Sequence, residues 1–363
     1  MAVNIAINGF GRIGRLIFCQ LFGDRAFEIT AVNDSAKPEL LAWLLKYETP
    51  QGGRAFGDTV NSGPGFISLK GKNIKIYAET DLSKLPWKKL KVDLVIDCSG
   101  QAASKDQAAA HLAAGAKKVL LVLPSSAYPG IDTDIPVIVY GINEKIITHT
   151  NRIIAAPSSV LSSITSLVKA LNDFAPIRSG ILAITGGEAA GADSGAAIAA
   201  AISHIIPELQ GKLTGIGGIT EAEYHIAGDA VLLTTVLKGK NITAEALNKA
   251  LKAKIDPART LALPADEDLY QVQITAGYEN EVSYAIQLVK SLKYFAELKV
   301  GPAKPADRAA IKDRAPKPAA DSKTPTTGAV KNGAAKKGGQ KPVGSAKPAV
   351  PTLSRKPLIN FPK

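Results

Sequence analysis

Three glycines and one carboxylate point most directly to chemistry in this chain. Gly9, Gly11 and Gly14 stand in G-x-G-x-x-G order within VNIAINGFGRIGR (3–15), between a short apolar run and the start of a periodic helix. At that spacing the first glycine permits a tight turn, the second lets the backbone approach a pyrophosphate, and the third lets helix and strand pack closely. A helix starting at Arg12 would aim free N–H groups at the phosphates. A second apolar run, 27–33, ends at Asp34, twenty residues beyond Gly14. A carboxylate there would accept from a ribose 2′-hydroxyl and reject a 2′-phosphate by charge and size. The residues read as a dinucleotide site, and a ligand-free strand–turn–helix is the competing reading.

The elements that must hold these residues follow from periodicity. After Asp34 the pattern predicts a helix over 38–47 and a loop at Gln51-Gly52-Gly53. A hairpin follows over 65–79, turning at Gly71-Lys72. A buried strand at 92–98 leads through Ser99-Gly100 into a helix over 104–114, then a strand at 118–123 and another at 137–140. Strands alternating with helices imply an α/β fold with a doubly wound parallel sheet, closing a first domain at about residue 150. Further on, the pattern gives a helix starting near Ser158, a strand at 177–186, a Gly/Ala-rich loop at 186–195 and an apolar helix at 196–209. Strands at 231–238 and 270–276 flank a helix that starts at the capping signal of Thr243. A strongly periodic helix closes the series at 280–298. This second part, 151–280, reads as an α+β domain. Four histidines are present. His111 is expected on the solvated side of its helix, and His204 on an apolar helix as a core or interface residue.

Composition sets limits on the rest. The chain has 363 residues, of which 46% are hydrophobic, enough for a sizeable core. The two cysteines, Cys19 and Cys98, argue against a disulfide framework and read as small core residues in a reducing cytoplasm. Neither a secretion signal nor a membrane-length apolar run is seen, so a cytoplasmic protein without membrane contact is expected. No metal site is expected. The net charge of +12 is concentrated at one end. Residues 301–363 hold 11 Lys, 3 Arg and 3 Asp, a net of +11, with ten prolines and a single aromatic residue, Phe361. Such a segment cannot bury enough apolar surface to offset its chain entropy, and it is expected to be disordered. Its lysines, among them Lys336, Lys337, Lys341 and Lys347, suit nucleic acid through phosphate neutralisation. The apolar end, 353–361 (LSRKPLINF), suits a protein partner, and a plain soluble spacer is the third reading.

Several long stretches resemble glyceraldehyde-3-phosphate dehydrogenases. They are INGFGRIGRL from Ile7, LLKYETPQG from Leu44, LKGKNIKIYAE from Leu69, LPWKKLKVD from Leu85, AHLAAGAKKV from Ala110, YGINE from Tyr140, IPELQGKL from Ile206 and YENEVSYAIQLVKSLKYFAELK from Tyr278. The resemblance covers residues 1 to about 300. It implies a Rossmann domain (1–150), completed by the last helix (281–299), and a catalytic-type domain (151–280) whose sheet forms the core of a dimer or tetramer. It also implies NAD as cofactor and conversion of an aldehyde, with inorganic phosphate, into an acyl phosphate. The cofactor residues carried over are Gly9, Phe10, Gly11, Arg12, Ile13, Gly14, Asp34, Ser99, Asn280 and Tyr284. Gln101 stands for an aromatic residue near the adenine, and Val122-Leu123 for a Ser-Ala pair.

The resemblance breaks where the reaction should occur. Aligned without gaps on Ile153-Ile154, Ser159 takes the place of the family's nucleophilic cysteine, and Gly186 that of its basic histidine. Ala222 replaces a phosphate-holding arginine, and the long basic loop after the histidine shrinks to about 186–194. A serine hydroxyl without a base does not attack an aldehyde as a thiolate does. No residue pair is therefore assigned to catalysis. The expectation is a catalytically degenerate relative with a structural, regulatory or binding role. The alternatives are an NAD-dependent oxidoreductase of altered chemistry, or an ordinary glycolytic enzyme by descent.

Overall fold

Two sheets organise the chain. In this computed structural model the residues described are 2–47, 56–101, 104–124, 134–185, 194–219, 230–251, 257–277 and 281–298. The first sheet has eight strands: β1 (Val3–Asn8), β2 (Phe27–Asn33), β3 (Val60–Gly63), β4 (Phe66–Leu69), β5 (Lys72–Tyr77), β6 (Leu94–Asp97), β7 (Lys118–Val122) and β8 (Ile153–Ala156). Their order is β3-β4-β5-β2-β1-β6-β7-β8. The six strands from β5 to β8 in that order pair parallel, and β3-β4-β5 form an antiparallel flap at one edge. The central strands read as near-continuous apolar runs because both faces are covered, as a parallel sheet requires. The fold class expected from sequence is the one observed.

The helices α1 (Arg12–Leu21), α2 (Pro38–Lys46) and α3 (Lys105–Ala113) fall within a residue or two of expectation. The β4–β5 turn lies at Lys70-Gly71, one residue earlier than expected. Both residues have positive φ, 49° and 79°, the signature of the primed turn that matches strand twist. The strand expected at 137–140 is reduced to a single bridge from Val137 to Ala155. The Ile138 N–H reaches the Ala155 carbonyl (2.7 Å), but the next residue beyond β8, Pro157, has no N–H to continue the ladder, and its carbonyl is taken by Tyr284. Asn143 satisfies the Val139 N–H (2.8 Å) and the Val137 carbonyl (2.9 Å) on the side away from β8.

The second sheet has the order β10-β9-β11-β13-β12, with β9 (Ile177–Thr185), β10 (Leu213–Ile219), β11 (Ala230–Lys238), β12 (Pro257–Asp266) and β13 (Leu269–Gly277). Glycines hide β10 from a pattern reading, and prolines hide β12. Around the sheet stand α4 (Ser159–Phe174), α5 (Ser194–Ile205) and α6 (Ala244–Leu251). One face of the sheet is buried through Leu182, Ile184, Val231, Leu233, Val272 and Ile274, in a cluster shared with α4, α5 and α6. The other face carries Ile181, Ile216, Leu261 and Leu263, each 41–50% exposed. Register sets Thr234 beside Ile181, and Gln273 beside Leu261, on that same face, with the exposed Arg259 beside Thr275 as its charged residue among those paired in register. The final helix, α7 (Glu281–Glu297), buries Leu288, Leu292 and Phe295 in the same cluster as Ile5, Phe10, Ile17 and Leu21 of the first sheet and α1. No helix among the described residues is long and apolar enough to cross a membrane. The tail from residue 299, and the loop expected at 186–195 except for its last residues, lie outside the described residues.

Candidate functional site

The glycine turn joins β1 to α1 at the sheet's switch point. From β1 the chain runs outward to β2 on one side, whereas β6 pairs on the other, which opens a crevice at the carboxyl ends of β1 and β6. The three glycines are needed for three different reasons. Gly9 has φ +85°, and a Cβ there would lie 2.6 Å from the Ser99 backbone. A Cβ on Gly14 would lie 2.3 Å from the Gly9 carbonyl oxygen, so only glycine lets α1 start this close to β1. A Cβ on Gly11 would meet nothing within 4 Å. The open side of Gly11 is the space a pyrophosphate needs, and no side chain caps α1, which leaves its first-turn N–H groups for an anion.

Asp34 is anchored beside this turn. Its Oδ2 accepts from the Phe10 N–H (2.7 Å) and its Oδ1 from the Ala36 N–H (2.9 Å), so the carboxylate is oriented while each oxygen keeps a further acceptor site. Phe10 has its ring buried against Phe18, so only its backbone faces the turn. Arg12 is half exposed and pairs with Glu281 at the start of α7. Ile13 packs on the core of the first sheet. These residues fit a dinucleotide, with Gly11 and the start of α1 at the pyrophosphate and Asp34 at a ribose.

The other candidates are placed less uniformly. Ser99 follows β6 at the mouth of the crevice, against Gly9. Tyr284 is buried, and its hydroxyl donates to the Pro157 carbonyl, just ahead of α4. Asn280, Gly186 and Ala222 lie outside the described residues, as does His225. Ser159 opens α4, whose cap is Ser158, accepting from the Leu161 N–H at 3.4 Å. Among the described residues the Ser159 hydroxyl has no histidine or carboxylate partner. Thr185, at the end of β9, spends its hydroxyl on the main chain of Ala230.

Two polar sets escaped the sequence reading. Asn8 and Asn33 end β1 and β2 in register, and the Asn33 amide donates to Asn8 Oδ1 (2.8 Å) and to the Glu79 carbonyl (3.0 Å). An asparagine closing each of two adjacent apolar runs was the available signal. The second set corrects an expectation, since His111 is fully buried rather than solvated. Trp87 Nε1 donates to His111 Nδ1 (3.0 Å), and His111 Nε2 lies 3.2 Å from Asp97 Oδ2. An indole N–H can only donate. His111 therefore holds Nδ1 as an acceptor and donates its Nε2 proton to Asp97, as a neutral ring. Burial raises the Asp97 pKa, but donors from His111 and Ser99 outweigh it and hold the carboxyl below its usual range. Cys98, next in sequence, is pushed far up by burial and the Asp97 charge, so it stays a thiol. His204 is exposed at the end of α5, not in the core, because the apolar stripe of that helix falls on Ile198, Ile202 and Ile205.

A doubly wound sheet with an uncapped helix at a glycine turn, and a carboxylate ending the next strand, defines a dinucleotide-binding protein of the NAD class. Residues 3–105 match the family profile described as glyceraldehyde 3-phosphate dehydrogenase, NAD binding domain. The chain is 32% identical to the glyceraldehyde-3-phosphate dehydrogenase of Clostridium pasteurianum over 341 residues, covering 81% of this chain and 98% of that protein. It is 31% identical to the Streptococcus pyogenes protein of the same name over 347 residues, covering 82% and 99%. The chain belongs to the glyceraldehyde-3-phosphate dehydrogenase family.

Proposed function

We propose that this chain keeps the NAD-binding half of its family's machinery and lacks the half that performs acyl transfer, so that it acts as a binding or regulatory protein. The observation that carries this reading is Ser159 at the head of α4, in the place that alignment gives to a cysteine. A thiolate at a helix N-terminus is stabilised there and attacks an aldehyde; a serine needs a base to reach comparable reactivity. The described histidines do not supply one. His111 is locked between Trp87 and Asp97, and His149 and His204 are exposed on other elements. NAD, when bound, supplies a hydride acceptor. The chain's own part is to seat the pyrophosphate at Gly11 and the start of α1 and to take a ribose at Asp34, with Ser99 assigned a place next to the cofactor and Tyr284 and Asn280 the nicotinamide end.

The experiment is a paired measurement on the purified full chain. Calorimetry should detect NAD, while glyceraldehyde 3-phosphate, NAD and phosphate together should yield no NADH. Turnover near ~1 s⁻¹, in the ordinary range for enzymes, overturns the reading. Ser159→Cys should not restore activity, because the base is missing as well.

Three further assignments belong to the same proposal. The chain divides into a cofactor domain (1–150, completed by 281–299) and a second domain (151–280), supported by the two sheets, although β8 extends the first domain a few residues past 150. The exposed apolar residues Ile181, Ile216, Leu261 and Leu263 on one sheet face support a homo-oligomer, tested by the mass of the chain in solution. Cys19 and Cys98, not joined in a disulfide, support a cytoplasmic setting.

A further inference from the structure

We propose that Trp87, His111 and Asp97 are a buried relay of positioning residues that fixes the Ser99 hydroxyl as an acceptor for a ribose hydroxyl of the bound dinucleotide. This rests on the reading that the crevice binds NAD.

The direction of every proton in the relay follows from its first donor. Trp87, His111 and Asp97 have 0% exposure, so water does not intervene as a partner at their surface. The indole donates to His111 Nδ1, which leaves His111 to donate through Nε2 to Asp97 Oδ2. Asp97, below its usual carboxyl range, is an acceptor only. Its other oxygen, Oδ1, then receives both the Ser99 N–H (3.0 Å) and the Ser99 hydroxyl proton (2.7 Å). The Gln101 N–H approaches one Ser99 lone pair at 3.3 Å. The Ser99 hydroxyl has thus given its only proton inward, and what remains on the exposed side is one lone pair.

That polarity selects the ligand atom. Ser99 abuts Gly9, within the turn that faces the pyrophosphate. Phosphate oxygens are acceptors at neutral pH, so an acceptor-only hydroxyl gains nothing from them. The donors that flank a pyrophosphate in a dinucleotide are ribose hydroxyls. Ser99 is matched to one of these, and the relay keeps it so by denying the hydroxyl any other orientation.

Asp97→Asn separates this role from simple charge or packing. The asparagine oxygen must face the His111 Nε2 proton, so its NH₂ faces Ser99, and the serine proton is turned outward. Coulomb's law alone predicts tighter NAD binding when a negative charge is removed beside an anionic ligand. The relay predicts the opposite. In the full chain, calorimetry with NAD should give a loss of roughly three- to tenfold for Ser99→Ala, the range one hydrogen bond supplies. Asp97→Asn should give a loss of similar size, and the double variant should be no weaker than Ser99→Ala alone. Trp87 emission and the thermal midpoint report whether Asp97→Asn keeps its fold. Should it not, Ser99→Ala, at an exposed position, and His111→Gln, which can still accept from Trp87 and donate to Asp97, carry the test: the first should weaken NAD and the second should leave it unchanged. Losses that add in the double variant, or an unchanged affinity in Ser99→Ala, overturn the relay while the NAD reading stands. No binding of NAD by the intact chain overturns both.

Discussion

At the scale of single residues, the difference between Asp34 and Ser159 sets out what this chain can do. Asp34 is held by two backbone N–H groups at 2.7 and 2.9 Å, so its position costs no side-chain ordering when a ribose arrives. Asp34→Ala is expected to weaken NAD by roughly tenfold, as loss of hydrogen bonds to a charged group does, while the circular dichroism spectrum stays that of the folded chain. Wild type should prefer NAD to NADP, because a 2′-phosphate would face this carboxylate; calorimetry showing a preference for NADP contradicts the assignment. Ser159 has no comparable support among the described residues. Asp34 was legible from spacing, because a strand of fixed length delivers a carboxylate to a fixed place beside the turn. The Trp87–His111–Asp97 set was not, because its members come from three separate segments and meet only when β6 and α3 are folded. A histidine on an Ala-rich helix gives no local sign of which side faces the sheet.

At the scale of elements, α7 ties the site together. Glu281 at its start pairs with Arg12 of the glycine turn, Tyr284 donates to Pro157 ahead of α4, and Lys293 bonds Asp24 at 2.7 Å. At its end the buried Lys118 of β7 donates to the carbonyls of Phe295 and Leu298 and lies 4.6 Å from the centre of the Phe295 ring. A cation suits the carbonyl end of a helix, and burying Leu288, Leu292 and Phe295 contributes about 1.5–3 kcal/mol for each side chain. Lys118→Met is expected to destabilise the chain by about 1–3 kcal/mol, since two carbonyls lose their donor; urea unfolding checks this. Burial pushes Lys118 down to about 8. In the unfolded chain a lysine titrates near ~10.4, so between these values the unfolded state binds more protons and stability rises with pH. Wild type should therefore gain on Lys118→Met as pH rises through that window, and a constant difference between the two would refute the assignment. The helix itself was plain from its 3.6-residue period. Its buried lysine was not, because Lys117 and Lys118 are adjacent in an ordinary-looking pair and only the alternation of β7 sends one inward. The strand expected at 137–140 failed for a different reason: an apolar run announces burial, but its partner run ends at Pro157, which has no N–H to pair with Ile138.

At the scale of the whole molecule, the charge separates from the fold. The first 300 residues carry a net charge of about +1 and the last 63 carry +11. Long-range attraction to a polyanion is therefore a property of the tail, and the NAD site sits on a part of the chain close to neutral. We propose that residues 301–363 bind anionic partners, with nucleic acid as the chemistry that best matches lysines spread among Ala, Gly and Pro. The contacts would be to phosphates alone, so binding should not depend on base sequence. With about 6–10 phosphates neutralised, affinity should fall by roughly 10³–10⁵ between 50 and 200 mM salt, because each contact releases condensed counterions. The comparison is between the full chain and a chain ending at Lys299, titrated into single- and double-stranded DNA and RNA of unrelated sequences. The full chain should bind all of them with that salt slope, and the shortened chain should not. Equal binding by both, or none by either at low salt, removes nucleic acid as the partner. Partner recovery from a lysate would then decide between the remaining readings. Loss of a bound protein on Phe361→Ala marks the apolar segment 353–361 as a docking peptide, and no change marks the tail as a spacer.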